Sequence, residues 1–521
     1  MNCYKQRPNI LCFITDQHRY DHLGCYGNSI VKTPNIDTIA ARGVTLDRAY
    51  VSNPLCMPAR ATLFTGRTPR GHGVRTNGIP LCESIPTLPH ALRNAGYRTH
   101  SVGKLHLHNF GIPRGNKLED INPQLFPELE AFWNSGVTRA LPKPYYGMET
   151  ADVVNGHTQW VFGDYIHWME KEHPGMKRGL LPEYALEKPT GAPQCYKMSI
   201  PEELHYNRWI SDRTIQFLDE NRHTSNPFFL WCSFPDPHHP YAVPKPWCNM
   251  YNPKDIPLPS ARRENELDDL PQFYKKIYEE GAPIVSGLHG PAKVIDAHLR
   301  EMIALTYGMI SFVDNEIGRI LRKLHELELE RETIIVFLSD HGDMMGDHWM
   351  IRKGPFHFEG LVRIPFIWSW PGYFPEGART SGLTGHIDFM PTILDLCGIP
   401  VPEGKVPDEP EASMMFEPLP GKSLKRQLEG KVDKINDWII IENDEDYLGL
   451  RVRTFVTDQY KLTIYPGQPY GELFDLANDP QELKNLWVDP RYTEMIKEMK
   501  SRFLEAYIQQ DSALPRRLSH A

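Results

Sequence analysis

The sequence predicts an α/β protein with a large mixed, mostly parallel sheet flanked by helices, followed by a smaller α+β domain on an antiparallel sheet. Short uninterrupted apolar runs, such as Asn9–Thr15 and Thr333–Ser339, are typical of buried parallel strands. Stretches with helical apolar spacing, such as 300–329, lie between such runs. The strand-like segments 438–441 and 454–465 near the C-terminus are interpreted as antiparallel.

Length and composition indicate two domains. The chain has 521 residues, of which 40% are hydrophobic and 24% charged, as in ordinary soluble globular proteins. This length suffices for one large domain and one smaller domain. A stretch rich in Pro and Glu at 403–425 is expected to connect them, so we predict domains at 1–425 and 426–521.

Charge and cysteine content limit the partners. The formal net charge of −9 offers no global attraction for nucleic acid or an anionic membrane, so an anionic substrate requires a local cationic pocket. The first eight residues lack an apolar signal core, and no run reaches the roughly 18 apolar residues of a membrane helix. Nine cysteines without regular spacing indicate reduced thiols. We therefore expect a cytoplasmic protein.

Polar groups follow the first predicted strands directly. Asp16 and Gln17 come after the strand 9–15, and ligands bind at the carboxyl ends of strands in open α/β sheets. A helix is predicted from Thr33 to Leu46 and another over 88–95, which ends at Gly96.

The next strand, 97–103, is followed by Lys104 and His106. If the chain stays extended there, these two side chains point to the same side and into one pocket.

The middle of the chain alternates between irregular and regular segments. Residues 110–205 show little periodicity and are expected to run over the sheet, at the mouth of a pocket. A helix at 208–221 precedes a strand at 227–234, and His238 follows that strand. Residues 250–298 are expected to be irregular.

The later segments complete the predicted fold. Thr333–Ser339 ends in Asp340-His341, a strand is predicted around 364–370, and helices are predicted at 386–396 and 491–506. The helix at 300–329 is expected to lie in the core.

The segment from Asn53 to Arg67 contains the most informative motif. Pro58 suits the first turn of a helix, which places Cys56 at the helix N-terminus. Unpaired N–H groups and the positive end of the dipole suit a nucleophile or an anion there.

Cys-x-Pro-x-Arg, continued as Ala-Thr-Leu-Phe-Thr-Gly-Arg, resembles the signature of the type I sulfatases, members of the alkaline-phosphatase-like superfamily. Further motifs occur in the family's order, namely Gly-Tyr-x-Thr, Gly-Lys-x-His, Pro-His-x-Pro, Ser-Asp-His-Gly-Asp, Lys-Gly-Pro and a late Gly-Glu-Leu-Phe-Asp-Leu. The resemblance implies an alkaline-phosphatase-like fold. It also implies that a maturation enzyme oxidises Cys56 to formylglycine, whose hydrated aldehyde is the nucleophile.

The resemblance implies one divalent cation bound by Asp16, Gln17, Asp340, His341 and an oxygen of modified Cys56. Many sulfatases have an acid and an amide where this chain has Gln17 and His341, and they use calcium. The imidazole shifts the preference toward manganese or zinc, while oxygen ligands still permit calcium.

The resemblance also implies catalytic roles around a small anionic ester. Lys104, Lys353 and His106 would bind sulfate oxygens. His238, assisted by Lys353, would protonate the leaving group, and His106 would take a proton from the hydrate. Arg60 would hold the hydrate and Asn77 would contact the substrate.

Hydrolysis of aryl or other small sulfate esters is the leading hypothesis. A phosphonate monoester or phosphodiester hydrolase is the first alternative, because Gln17 and His341 fit it equally well, and activity on both substrate classes is expected in either case. Lys104 and His106 favour sulfate, because the phosphonate hydrolases carry Tyr and Thr there. A choline sulfatase, a silent metal-binding homologue and a homo-oligomer are also compatible with the sequence.

Overall fold

An eight-stranded mixed sheet forms the centre of the computed structural model, which describes residues 7–280, 293–400, 419–446 and 448–511, together with the backbone of 282–285 and 288–290. In chain order its strands are β1 (Asn9–Thr15), β2 (Gly43–Leu46), β3 (Arg98–Gly103), β4 (Thr150–Val153), β5 (Phe228–Phe234), β6 (Thr333–Ser339), β7 (Phe366–Ser369) and β8 (Ala378–Thr380).

Across the sheet the strand order is β8-β2-β7-β6-β1-β5-β3-β4. Neighbours are parallel except around β7, which runs antiparallel to β6 and β2. The central strands β6, β1 and β5 are buried throughout, which explains their continuous apolar sequences. The predicted mixed, mostly parallel sheet is therefore confirmed.

Helices flank this sheet. Those of seven residues or more are α1 (Pro34–Ala41), α2 (Cys56–Thr65), α3 (Leu88–Asn94), α4 (Asp164–Glu172), α5 (Tyr206–Asn221), α6 (Gln272–Glu280), α7 (Asp296–Glu326), α8 (Phe389–Leu396) and α9 (Thr493–Gln509). The predicted core helix is α7, whose buried face packs against α5. Within the described residues, no helix has the length and apolar character needed to cross a membrane.

Short elements surround the large sheet. A three-stranded sheet joins Ala49–Tyr50, Arg363–Ile364 and Thr384–Gly385, and a parallel pair joins Cys195–Met198 and Tyr241–Pro244. Short α-helices span Pro69–His72, Glu130–Asn134, Glu266–Asp269, Glu359–Val362 and Lys425–Leu428.

The C-terminal part forms a separate antiparallel sheet of four strands, β9 (Trp438–Glu445), β10 (Leu450–Thr457), β11 (Tyr460–Ile464) and β12 (Gly471–Asp475). Apolar side chains of α9 pack with those of the sheet in one cluster, so this part is a small α+β unit, as predicted.

Residues 401–418, which contain most of the predicted connection 403–425, lie outside the described residues. The domain limits 1–425 and 426–521 stay a prediction.

Three local predictions were wrong in whole or in part. The helix predicted over 33–46 ends at Ala41, because Gly43 begins β2 and lies so close to the carbonyl of Trp368 that a Cβ would be 2.1 Å from it. The excursion 110–205 contributes the edge strand β4 and the helix α4. The segment 250–298 contains α6, a short helix with strong amphipathic spacing.

Candidate active site

The carboxyl ends of four neighbouring strands meet at one place. Thr15 at the end of β1 pairs with Ser339 of β6 and with Phe234 of β5, and β3 pairs with β5 on the far side. Asp16, Asp340, Lys104 and His238 follow these four strands, in regions that are buried. The sheet thus brings together residues that are more than 300 positions apart in the sequence.

Cys56 is the first residue of α2 and points its sulfur into this cluster. Its Sγ lies 3.3 Å from Nε2 of His341, 3.7 Å from Oδ1 of Asp16 and 2.9 Å from Nζ of Lys353. Burial raises the pKa of the thiol, but the positive charges of Lys104, Lys353 and His341 outweigh it, so the pKa of Cys56 falls below its ordinary value.

Four groups could hold one cation. Ligand atoms of Asp16, Cys56, Asp340 and His341 all lie within 4.8 Å of one another, and all four side chains are buried. Nδ1 of His341 is 2.8 Å from the carbonyl oxygen of Gly342 and donates to it, so Nε2 faces the cluster, where a bound cation would take the place of its proton. Two carboxylates, an imidazole and the side chain at position 56 therefore fit a divalent cation.

Gln17 lies beside these groups in a left-handed backbone conformation with φ of 62°. Its backbone N–H donates to Oδ1 of Asp340 at 3.1 Å. Its side-chain Nε2 donates to Asp343 and to Nδ1 of His239, while its buried Oε1 has no hydrogen-bond partner in the protein. An unpaired buried oxygen is costly unless a ligand satisfies it, so Gln17 also fits the cation site.

Arg60 bonds to both carboxylates of the cluster. Its Nε donates to Oδ2 of Asp340 at 2.8 Å and its Nη2 to Oδ2 of Asp16 at 3.3 Å. Its Nη1 donates to the carbonyl of Lys104 at 2.9 Å and to Oγ of Ser233 at 3.0 Å. Burial lowers the pKa of this guanidinium, but the two carboxylates raise it by more, so the pKa lies above its ordinary value. Arg60 is therefore a fully buried cation.

Lys104 turns into the cluster, where its ammonium bonds to Asp16 and lies 2.6 Å from Nε2 of His157. The ring of His157 stacks on that of His238 with centroids 3.5 Å apart. Burial, followed by the charge of Lys104, lowers the pKa of His157 to about 3. Sequence analysis missed His157. The signal was available, because His157 follows the carboxyl end of the unrecognised strand β4.

Lys353 contacts two histidines as well as the sulfur of Cys56. Its Nζ lies 3.0 Å from Nε2 of His238 and 3.1 Å from Nε2 of His341. Nδ1 of His238 donates to the carbonyl of His239, so its Nε2 accepts from Lys353. Burial, followed by nearby His157, His239 and Lys353, lowers the pKa of His238 well below its ordinary value. The imidazole is neutral and the proton between the two groups belongs to Lys353.

His106 and Asn77 lie at the edge of the cluster. β3 ends at Gly103 and His106 has φ of 55°, so the extended geometry expected for Lys104 and His106 is not found. The ring of His106 stacks on Phe110 with centroids 3.8 Å apart.

Both residues line a cavity of about 520 Å³ formed by segments 75–79, 106–114 and 445–446. Oδ1 of Asn77 accepts from the backbone N–H of Met57, which fixes the start of α2 beside this cavity.

The chain matches two family models. The sulfatase model matches residues 8–399, and a model described as N-sulphoglucosamine sulphohydrolase, C-terminal, matches residues 346–509. The first match covers most of the chain, including every predicted site residue.

Relatives and solved structures agree with these matches. An arylsulfatase of Clostridium perfringens (strain 13 / Type A) is 30% identical over 513 residues, which cover 95% of each protein. A choline-sulfatase of Rhizobium meliloti (strain 1021) is 26% identical and covers 93% of this chain and 83% of that protein. The phosphonate monoester hydrolase of Agrobacterium radiobacter superimposes with a TM-score of 0.78 at 27% identity, covering 98% of this chain and 97% of that one. This chain belongs to the sulfatase family of the alkaline-phosphatase-like superfamily and is a sulfuric ester hydrolase.

Proposed function

We propose that this protein hydrolyses aryl or other small sulfate monoesters, with a formylglycine derived from Cys56 as its nucleophile. The observation that carries the proposal is the position of Cys56. It begins α2, and its sulfur contacts the ammonium of Lys353 and the proposed cation ligands His341 and Asp16. An oxygen nucleophile at this position would be close both to a proton donor and to the proposed cation.

Formation of the aldehyde requires a separate maturation enzyme, which is the partner we propose for this chain. The eight cysteines in the described part of the chain are all free. Free thiols are typical of a reducing compartment, which supports the expected cytoplasmic location. A homo-oligomer stays a prediction.

The cation ligands in this proposal are carboxylate oxygens of Asp16 and Asp340, Nε2 of His341, Oε1 of Gln17 and an oxygen of the modified residue 56. A bound divalent cation supplies Lewis-acid polarisation of the hydrate and of a sulfate oxygen. The imidazole favours manganese or zinc, and the oxygen ligands permit calcium.

The remaining cations prepare the site for a tetrahedral anion. Arg60 bonds to both Asp16 and Asp340, offsets part of their negative charge and keeps both in place. Lys104 and Lys353 approach the cluster from different elements and offer ammonium donors to the sulfate oxygens, where negative charge is highest. Their buried positions strengthen this attraction, because little water screens it.

His238 and Lys353 act together as the proton source for the leaving group. Because His238 is neutral and accepts from Lys353, the ammonium carries the proton and His238 orients it. General-acid catalysis of this kind contributes roughly 10²–10⁴-fold. His106, on the cavity side, is the residue we propose as the base for the second hydroxyl of the hydrate, and Asn77 as a substrate contact.

A phosphonate monoester or phosphodiester hydrolase is the second candidate. Gln17 and His341 fit it, and the phosphonate monoester hydrolase of Agrobacterium radiobacter has the same overall fold. Lys104, with its bond to Asp16, favours sulfate. Activity on both classes is expected, because both substrates present a tetrahedral anion.

Choline sulfate and a catalytically silent homologue are weaker candidates. The cavity beside His106 carries arginines as well as acids, which gives a cationic alcohol no preference. A catalytically silent homologue would not need the buried cationic side chains that surround Cys56, so their presence argues against it.

Mass spectrometry of the peptide Ala49–Arg60 tests the nucleophile. From a host with the maturation enzyme we expect an aldehyde at position 56 and activity proportional to its fraction. Cys56→Ala should abolish hydrolysis, while Cys82→Ala, at an exposed cysteine, should not. An unmodified protein with full activity would overturn the formylglycine proposal, and an aldehyde-bearing protein without esterase activity would overturn the proposed hydrolase.

A further inference from the structure

We propose that Asp343 and His239 determine which atom of Gln17 faces the cation, and that they are positioning residues for metal binding. This inference rests on the cation site proposed above. Neither residue belongs to the set predicted from sequence, and both are buried. An amide presents either an oxygen or an NH2 group, and only the oxygen can bind a cation.

The contacts of Gln17 leave one orientation. Its Nε2 carries two hydrogens, one directed at a carboxylate oxygen of Asp343 and the other at Nδ1 of His239, 2.9 Å away. A carboxylate can only accept, so the nitrogen of the amide must face Asp343. With both hydrogens used, Oε1 is the polar side-chain atom left for a ligand, and it has no hydrogen-bond partner in the protein.

Asp343 is itself held in place. Its Oδ1 accepts from the backbone N–H groups of Met345 and Arg352, each at 2.8 Å. Its Oδ2, which faces Gln17, also accepts from the hydroxyl of Tyr241 at 3.1 Å. The carboxylate therefore cannot rotate without losing two backbone bonds, and it acts as a fixed acceptor beside Gln17.

Asp343→Asn should reverse the amide of Gln17. The oxygen of the new side chain must stay with the two backbone N–H groups, so its NH2 group faces position 17. Two NH2 groups cannot bond to each other, and Gln17 turns its oxygen toward position 343. Its own NH2 group then faces the cation site, which loses one ligand.

Manganese binding by the aldehyde-bearing protein tests this directly, with Mn²⁺ alone as the probe. In Asp343→Asn the Kd for Mn²⁺, measured by electron paramagnetic resonance, should rise roughly 10–100-fold. The Tm of the metal-free protein should change little. Asp314→Asn is a matched control, because Asp314 is also buried and accepts from the backbone of Asn35 and Ile36, outside the site. Its Kd should equal that of the wild type.

The double variant Gln17→Glu/Asp343→Asn should restore Mn²⁺ binding. The new carboxylate accepts from the new amide with one oxygen and offers the other to the cation. In the wild-type background, Gln17→Glu sets two carboxylates against each other and should give no such gain. The double variant also carries the test if Asp343→Asn alone is insoluble, since positions 17 and 343 again pair an acceptor with a donor and His239 can donate from Nδ1 in its other tautomer.

The outcomes separate this inference from the proposed function. A wild-type protein that holds no divalent cation would overturn the proposed site. A wild type that binds Mn²⁺ while Asp343→Asn binds it equally well would overturn only the role of Asp343. A double variant that binds no better than Asp343→Asn would show that the loss reflects local damage, and would also overturn the inference.

Discussion

The ammonium of Lys353 lies 2.9 Å from the sulfur of Cys56. The two residues are 297 positions apart. Cys56 begins α2, and Lys353 lies in the loop after β6, which folds back so that the N–H of Met344 donates to the carbonyl of Arg352. Burial lowers the pKa of Lys353, but the charges of Cys56 and Asp16 raise it above its ordinary value. A protonated amine is thus kept beside the position that the nucleophilic oxygen of the modified residue would occupy, and it bonds to His238 as well.

His238→Ala should reduce activity most on sulfate esters with poor leaving groups. Without its imidazole, Lys353 loses the acceptor that orients its proton toward the leaving group. We expect kcat/KM to fall roughly 10²–10⁴-fold for alkyl sulfates and much less for aryl sulfates with good leaving groups. The measurement is a series of leaving groups with graded pKa. Equal losses across the series would rule out a part in proton transfer.

His157→Ala should lower kcat roughly 10–100-fold while the protein keeps its cation. His157 holds the ammonium of Lys104 and stacks on His238, so its loss frees both side chains. The comparison is His325→Ala, which removes a histidine exposed on the far end of α7 and should leave kcat unchanged. If His157→Ala retains wild-type kcat, the contact with Lys104 has no catalytic consequence.

Arg60→Met should destabilise the metal-free protein by about 3–5 kcal/mol, because it leaves the buried carboxylates of Asp16 and Asp340 without their shared partner. Urea unfolding and Tm measure the change. Arg491→Met removes an exposed guanidinium that pairs with Asp489, and it should change the stability far less. Similar small losses for both variants would contradict the buried position of Arg60.

Because His205 is buried, the free energy of unfolding of the protein should fall in mild acid. Burial lowers its pKa in the folded protein from 6.5 to about 3, whereas the unfolded chain binds a proton as the pH falls through 6.5. Between these values the unfolded state binds more protons, so the stability contributed by neutral His205 is complete above pH 6.5 and is lost toward pH 3. The cost is about 1.4 kcal/mol for each pH unit.

His205→Asn tests this slope. Nδ1 of His205 accepts from the backbone N–H of Asn207 at the start of α5, and an asparagine oxygen can do the same. The variant should lose less stability than the wild type between pH 6.5 and 5, by about 1.4 kcal/mol per unit. Parallel stability curves for the two proteins would contradict a neutral His205.

Most of the central sheet was predictable, because β1, β5 and β6 are buried on both faces and therefore carry continuous apolar sequences. The short strands toward the two edges of the sheet were not predictable. β4 is only four residues long and partly exposed, so its sequence lacks a buried pattern. The short strand β2 follows α1 without a turn that the sequence marks, and pairing with β7 overrides its local preference.

The candidate site was predictable where a residue lies in a motif. Asp16, Cys56 and Asp340 follow strands or begin a helix in recognisable sequence contexts, and the structure places them together. His157 was missed because the short strand β4 before it was not recognised. Asp343 closes the Ser-Asp-His-Gly-Asp motif but was given no role, because that role depends on Gln17 lying opposite it in space. The partner of each is more than 50 residues away.

The ratio of kcat/KM for an aryl sulfate to that for the matching aryl phosphonate monoester decides between a sulfatase and a phosphonate hydrolase. It should be measured on one preparation with the aldehyde at position 56 confirmed by mass spectrometry. The ammonium groups of Lys104 and Lys353 beside Cys56 lead us to predict a ratio that strongly favours sulfate. A ratio near one, or one that favours the phosphonate, would contradict the proposed sulfatase and support the phosphonate hydrolase to which Gln17 and His341 point.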